Sequence, residues 1–194
     1  MVDSEDEARW PSLGDRAFVK SPPCYGASIA EDGGERLWRM IRGYQRAADL
    51  LVAKTEAEPW EGRDLIYPIV FSYRHSLELA LKQLVENHGD LIGQPANRRS
   101  HHLDVIWPMC RLLMEHFNPK SDPEPLDVLE DLVKDFSEID PSSVLFRYAS
   151  DQKGALLESG LGHIDLAALR HVMAGVHNLL ECVDAQISEI CNEP

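Results

Sequence analysis

Apolar positions recur along most of the chain at three- and four-residue steps, the period at which one face of an α-helix repeats. Leu37, Ile41, Tyr44, Ala48 and Leu51 follow it and predict a first helix over residues 35–56. Val70, Tyr73, Leu77, Leu81 and Leu84 predict a second over residues 65–87, with Pro68 near its first turn, where a missing N–H costs little, and Gly89 as its stop. After a loop with Pro95 and Asn97, Ser100 is the expected N-cap of a third helix reaching Phe117, and Pro108 inside it predicts a kink or break. Pro119, Pro123 and Pro125 mark a linker before a fourth helix, which turns Leu126, Leu129, Val133 and Phe136 inward and ends near Asp140 and Pro141. Asp165 caps a long last helix whose expected core positions are Leu166, Leu169, Val172, Val176, Leu180, Val183, Ile187 and Ile190. The β-prone run Val144-Leu-Phe-Arg-Tyr148, followed by Ser-Asp-Gln-Lys-Gly154, is the one strand candidate and predicts a short β-hairpin-like excursion near residues 144–157. Helices joined by short connections, without strand–helix alternation, predict an all-α bundle of about five helices as a single domain over residues 35–194. Residues 1–34, acidic and interrupted by Pro11, Pro22 and Pro23, predict an irregular arm.

With 194 residues the chain is long enough to bury a full core without disulfides or a structural metal, and nothing in it calls for a cofactor. Its 33 acidic against 19 basic side chains give a net charge of -14, which argues against a protein that coats nucleic acid or an anionic membrane. Any phosphate site must be local. No apolar run approaches the roughly 18–20 residues of a membrane span, and the first nine residues are acidic where a secretory signal carries positive charge, so a cytoplasmic location is expected. Cys24, Cys110, Cys182 and Cys191 form no close pair and read as reduced thiols, with Cys110 and Cys182 as small core residues. Charge is uneven. Residues 120–140 hold eight acids against Lys120 and Lys134, a surface suited to a basic protein partner. The first helix carries Arg36, Arg39, Arg42 and Arg46, of which the last three share a face; that stripe is a solvated face, an ion-pair partner for the acidic fourth helix, or a phosphate-contacting edge.

Four constellations bear chemistry. On the second helix His75, Glu78 and Lys82 stand one above another and Arg74 reaches Glu78 across one turn, either as ion pairs or as an anion site whose histidine Glu78 orients. A metal site would need matching carboxylates from other helices, so none is expected. Arg98, Arg99, His101, His102 and Asp104 gather at the predicted start of the third helix, where either free N–H groups favour an anion or His101 caps or packs locally and the arginines are solvated. Arg147 lies between Phe146 and Tyr148, with Asp151 beyond, and can stack on a base or pair with a carboxylate. On the last helix Arg170, His171 and His177 place an arginine and a histidine about two turns apart on one flank of the apolar stripe; Arg111 and His116 form a looser copy.

An α-helical bundle with an arginine, a polar residue and a histidine after four to six more residues resembles the HEPN superfamily, many of whose members are metal-independent RNases or toxins. The resemblance implies that Arg170 and His177 are the catalytic pair, acting without metal in a symmetric dimer. Histidine would take the 2′-hydroxyl proton and arginine would stabilise charge on the phosphate. The segments Tyr67-Pro-Ile-Val-Phe-Ser-Tyr-Arg-His-Ser-Leu-Glu-Leu-Ala-Leu-Lys82, His102-Leu-Asp104 with Trp107, and Asp140-Pro-Ser-Ser-Val-Leu-Phe-Arg-Tyr148 also resemble a set of uncharacterised bacterial proteins over about residues 38–190, a likeness that implies no activity. Three readings therefore stand: a ribonuclease or defence-type RNA-acting protein; a module binding RNA, a nucleotide or an acidic segment in a local basic cleft built from Arg74, His75, His102 and Arg147; and a structural network in which these groups satisfy one another.

Overall fold

The computed structural model describes residues 10–20, 27–94 and 99–192; the expectations for residues 1–9, Pro22, Pro23, Cys24, Pro95, Asn97 and Arg98 lie outside the described residues. Among the described residues the chain forms α1 (Gly33–Ala57), α2 (Gly62–His88), α3 (Leu103–Phe117), α4 (Glu124–Ile139) and α5 (Leu166–Asn192). It is an all-α bundle. No described helix is long and apolar enough to cross a membrane.

The second helix is the axis of the molecule. Ile69, Val70, Tyr73, Leu77, Leu81 and Leu84 are buried as the apolar pattern requires, but Arg74, Ser76 and Glu78 are buried too, so α2 is enclosed on nearly every side. α1 runs antiparallel to it: Tyr44 touches His75 and Asp49 bonds Tyr73, whereas a single 3-10 turn, Pro59–Glu61, joins the two helices. α5 runs alongside in the direction of α2, pairing His177 with Ser76 and, two turns on, Asp184 with Asn87 and His88. Cys110 of α3 donates its thiol proton to Leu81 O at 3.3 Å, and α4 closes the far side with Leu126, Leu129, Leu132, Val133 and Phe136. Each such buried side chain stabilises the fold by roughly 1.5–3 kcal/mol.

Several boundaries differ from the pattern-based reading, each for a local reason. α1 begins inside the expected arm because the Asp32 carboxylate caps it, accepting the Glu35 N–H at 2.8 Å. Its buried stripe is Ile41, Ala48, Val52 and Thr55, with Leu37, Tyr44 and Leu51 only half-buried. α3 starts at Leu103, not at Ser100; Ser100 Oγ instead accepts the His102 N–H, and His102 occupies the cap position. Pro108 sits inside α3 without breaking it. Gly89 ends α2 in a right-handed conformation, φ -59°, and the left-handed residue is Gly93, φ 69°. Glycine is required at 89 for space: a Cβ there would lie 2.2 Å from Gln94 O, because the chain folds straight back over it. Asp165 does cap α5, accepting the Ala168 N–H at 2.9 Å. The buried stripe of α5 is rotated from the expected one: Met173 and His177 are inside, whereas Val172 and Ile190 face out. Cys110 is a core residue, but Cys182 is exposed.

The strand candidate Val144–Tyr148 forms a helical turn, with the Arg147 and Tyr148 N–H groups donating to Val144 O. Asp140, the last cap of α4, imposes it: its Oδ1 accepts the Val144 and Leu145 N–H groups at 2.7 and 3.1 Å, while Ser143 takes φ 58°. The hairpin-like excursion lies within the expected 144–157, as a single antiparallel bridge, Ser150 to Leu156, whose tip is held by Asp151 Oδ1 accepting from Lys153 and Ala155.

Candidate functional site

The ladder on α2 divides between the interior and the surface. Arg74 has no exposed surface. Its Nη1–H donates to Glu78 Oε2 at 3.2 Å, its Nε–H to Asp140 O at 3.2 Å, and its Nη2 to His101 O at 3.0 Å and Pro141 O at 3.5 Å. One guanidinium thereby ties the middle of α2 to the loop entering α3 and to the end of α4. Glu78, also buried, accepts Lys82 Nζ at 2.7 Å and the His101 Nδ1–H at 2.8 Å. Burial acts to raise the Glu78 pKa, but these hydrogen bonds outweigh it and hold the carboxyl below its ordinary range. Burial lowers the Arg74 pKa, opposed by Asp140 and Glu78. A buried charge must be paired and hydrogen-bonded, and here it is. Of the two expectations for Arg74, Glu78 and Lys82, ion pairs or an anion site, the geometry is that of the ion pairs: their polar atoms face one another.

A second polar chain crosses from α1 through α2 to α5. The Tyr73 hydroxyl donates to Asp49 Oδ1 at 2.6 Å, and burial, with that carboxylate, raises the phenol pKa. Ser76 Oγ–H donates to Tyr73 O at 2.8 Å, which leaves the hydroxyl to accept from His177 at 3.0 Å. The neutral His177 ring thus carries its proton on Nε2. Burial pushes its pKa down to about 4, against the pull of Asp49. His177 is 2% exposed and lies within the buried stripe, not on its flank. Arg170, one end of the pair implied by the HEPN resemblance, stands at the surface in a two-pronged pair with Glu56, at 2.8 and 3.1 Å.

The remaining half of the α2 ladder reaches solvent. His75 lies between α1 and the 140–148 turn, stacked on Phe71 (centroids 5.4 Å, planes 11° apart) and edge-on to Tyr44 (4.6 Å, 82°). Burial lowers its pKa, although Glu78 acts the other way. The Arg147 guanidinium covers the other aromatic surfaces, 5.6 Å from the Phe71 ring and 5.4 Å from the Tyr148 ring, with its Nε–H donating to Ser143 O. Arg147 and Tyr148 are exposed, and Arg147 has no carboxylate partner among the described residues. Arg74, His75, His102 and Arg147 do not form one pocket: Arg74 is enclosed, while His102, at the N-cap of α3, and Asp104, in its first turn, are exposed. Tyr44 and Phe71 belong to the surface group although sequence reasoning placed neither there; the four-residue step from Phe71 to His75 was the available signal.

The acidic helix α4 does not pair with the arginines of α1. Arg111 of α3 holds it, donating to Glu130 and to Asp127, the latter at 2.8 Å, as well as to Glu115 on its own helix; Lys134 adds Glu130 at 3.0 Å. On α1, Arg39 pairs with Glu35, Arg36 donates to Ala30 O, and Arg42 stacks on Trp38 at 4.9 Å. Among the described residues no cluster of three or more histidine, cysteine or acidic side chains is placed to hold a metal ion. Compared with family models, curated proteins and solved structures, the chain matches none of them.

Proposed function

We propose that the protein is a non-catalytic helical binding module that takes a nucleotide, free or as one unit of an RNA, on the face formed by Tyr44, Phe71, His75, Arg147 and Tyr148. One observation carries the reading: the Arg147 guanidinium lies over two aromatic rings, 5.6 and 5.4 Å from their centroids, without a carboxylate partner among the described residues. With its Nε–H donated to Ser143 O, the guanidinium has its Nη groups left for a phosphate, and an exposed tyrosine ring offers a base a stacking surface worth roughly 1–3 kcal/mol. The neutral His75 imidazole supplies a hydrogen-bonding edge beside them without adding charge. A net charge of -14 limits the contact to this spot rather than a tract of phosphates.

The chemistry of His177 supports the non-catalytic half. A general base needs solvent or substrate within hydrogen-bond reach and a pKa near the working pH; this imidazole is enclosed, committed to Ser76 and already neutral far below pH 7. The test incubates purified protein, in EDTA, with labelled single-stranded RNA and tRNA, and measures binding of the same RNA by anisotropy. Intact RNA is expected, with binding weakened about tenfold by Arg147→Ala. Cleavage lost in His177→Ala would instead assign the ribonuclease chemistry to Arg170 and His177.

A further inference from the structure

The described part of the arm carries five large apolar side chains that no described residue covers: Trp10, Leu13, Phe18, Val19 and Ile29 are between 75% and 108% exposed. Four of them lie on the described stretch 10–20, and apolar groups this open mark an interaction surface. The segment has a built turn. Ser12 N–H donates to Asp15 Oδ2 at 2.9 Å, Asp15 N–H returns to Ser12 O at 3.0 Å, and Gly14 at φ 98° supplies the left-handed residue between them. A pre-shaped segment loses less freedom on docking.

At the end of the bundle where α5 passes the last turn of α2, a groove of about 180 Å³ opens between α3, α4 and α5. Met114, Phe117, Leu126, Leu179, Val183 and Ile187 line it, and Cys182 stands at its edge. Its α4 side is acidic, with Asp122 on the rim and Glu124 two residues on. The arm segment at residues 10–20 has the opposite balance, Arg16 and Lys20 against Asp15.

We propose that this groove receives residues 10–20 of a second copy of the chain, giving a dimer in which two arms are exchanged. The basic balance of residues 10–20 selects that stretch of the otherwise acidic arm as occupant, and within one chain no residue of it lines the groove. One ring fills the groove and its neighbours follow the rim. Trp10 and Phe18 bury roughly 150–250 Å² each, so two arms and the surfaces they cover remove on the order of 1,200–2,000 Å², the range of a specific interface. This dimer does not depend on the nucleotide reading, whose residues lie elsewhere.

The test is sedimentation velocity of the full chain from about 1 to 100 µM, where dissociation at micromolar Kd is visible. A dimer is expected, weakened about tenfold or more by Phe18→Asp and by Trp10→Asp with the helical circular dichroism unchanged, since both side chains are exposed. Phe18→Cys, oxidised in the presence of native Cys182, should give a product of twice the chain mass on a non-reducing gel, absent when Cys182→Ser is added. A monomer throughout, a dimer indifferent to both arm substitutions, or a cross-linked product of single-chain mass overturns the proposal.

Discussion

Replacing Arg74 by methionine tests the interior of the molecule. The side chain keeps its length and apolar stem but loses every donor. Removing one partner from a buried ion pair costs about 3–5 kcal/mol, because the other charge is left enclosed. Two features of the structure place the loss near the lower bound. Glu78 retains Lys82 and His101, at 2.7 and 2.8 Å, and Asp140 O retains the Ser143 N–H at 3.3 Å. The loss of the bonds to His101 O and Pro141 O frees the loop entering α3 and the turn after α4. About 3 kcal/mol, at roughly 2–4 °C per kcal/mol for a domain of this size, lowers Tm by about 6–12 °C. Thermal and urea unfolding followed by circular dichroism measure it, with Arg147→Ala as the comparison: that exposed side chain should shift stability by less than about 1 kcal/mol while weakening binding. A fall in Tm below about 2 °C for Arg74→Met would refute the view that Arg74 pins three elements together.

Stability should fall with acid through a window set by His177. Its folded pKa, about 4, lies below its ordinary 6.5, so the neutral buried ring contributes fully above pH 6.5 and its contribution, about 3 kcal/mol, is lost as pH drops toward 4; urea titrations at stepped pH should show this slope, and His177→Gln should flatten it. His75, lowered by burial, adds in the same direction, and Glu78, whose carboxyl is held low, contributes only in more acid solution. Gly43→Ala should raise stability by about 0.5–1 kcal/mol, since a Cβ meets open space in mid-helix, whereas Gly89→Ala should lower it because Gln94 O stands in the way; equal signs in thermal melts would contradict this. Asp165→Ala, which removes the N-cap of α5, should cost about 1 kcal/mol in the same measurement.

Helix number and order were legible in the chain because apolar spacing reports a buried face directly. The stripes of α2 and α4 matched position by position, from Val70 to Leu84 and from Leu126 to Phe136. What spacing does not report is how many faces are buried. A helix with one stripe of leucines and one ladder of Arg74, Glu78 and Lys82 reads as amphipathic, yet α2 lies between α1, α3 and α5, and the ladder is enclosed. The same blindness put His177 on the flank of α5: histidine counts as polar in a pattern, but Ser76 across the interface makes the interior acceptable to it. Side-chain caps account for the early start of α1 and for the turn after α4. Asp32 and Asp140 each impose a local geometry that the neighbouring residue types, two glycines at Gly33 and Gly34 or the β-prone Val144–Tyr148, do not suggest. The surface group was half visible, Arg147 and Tyr148 from their adjacency and His75 from the ladder, but Tyr44 comes from another helix and no spacing rule connects it.

The central claim is that ligand meets the protein at the Arg147 face and not at Arg170 and His177. An NMR titration of isotope-labelled protein with AMP tests it most directly. Shifts confined to Tyr44, Phe71, His75, Arg147 and Tyr148, and abolished by Arg147→Ala, are the predicted result; shifts centred on Arg170 and His177, or none at millimolar AMP, would contradict the account.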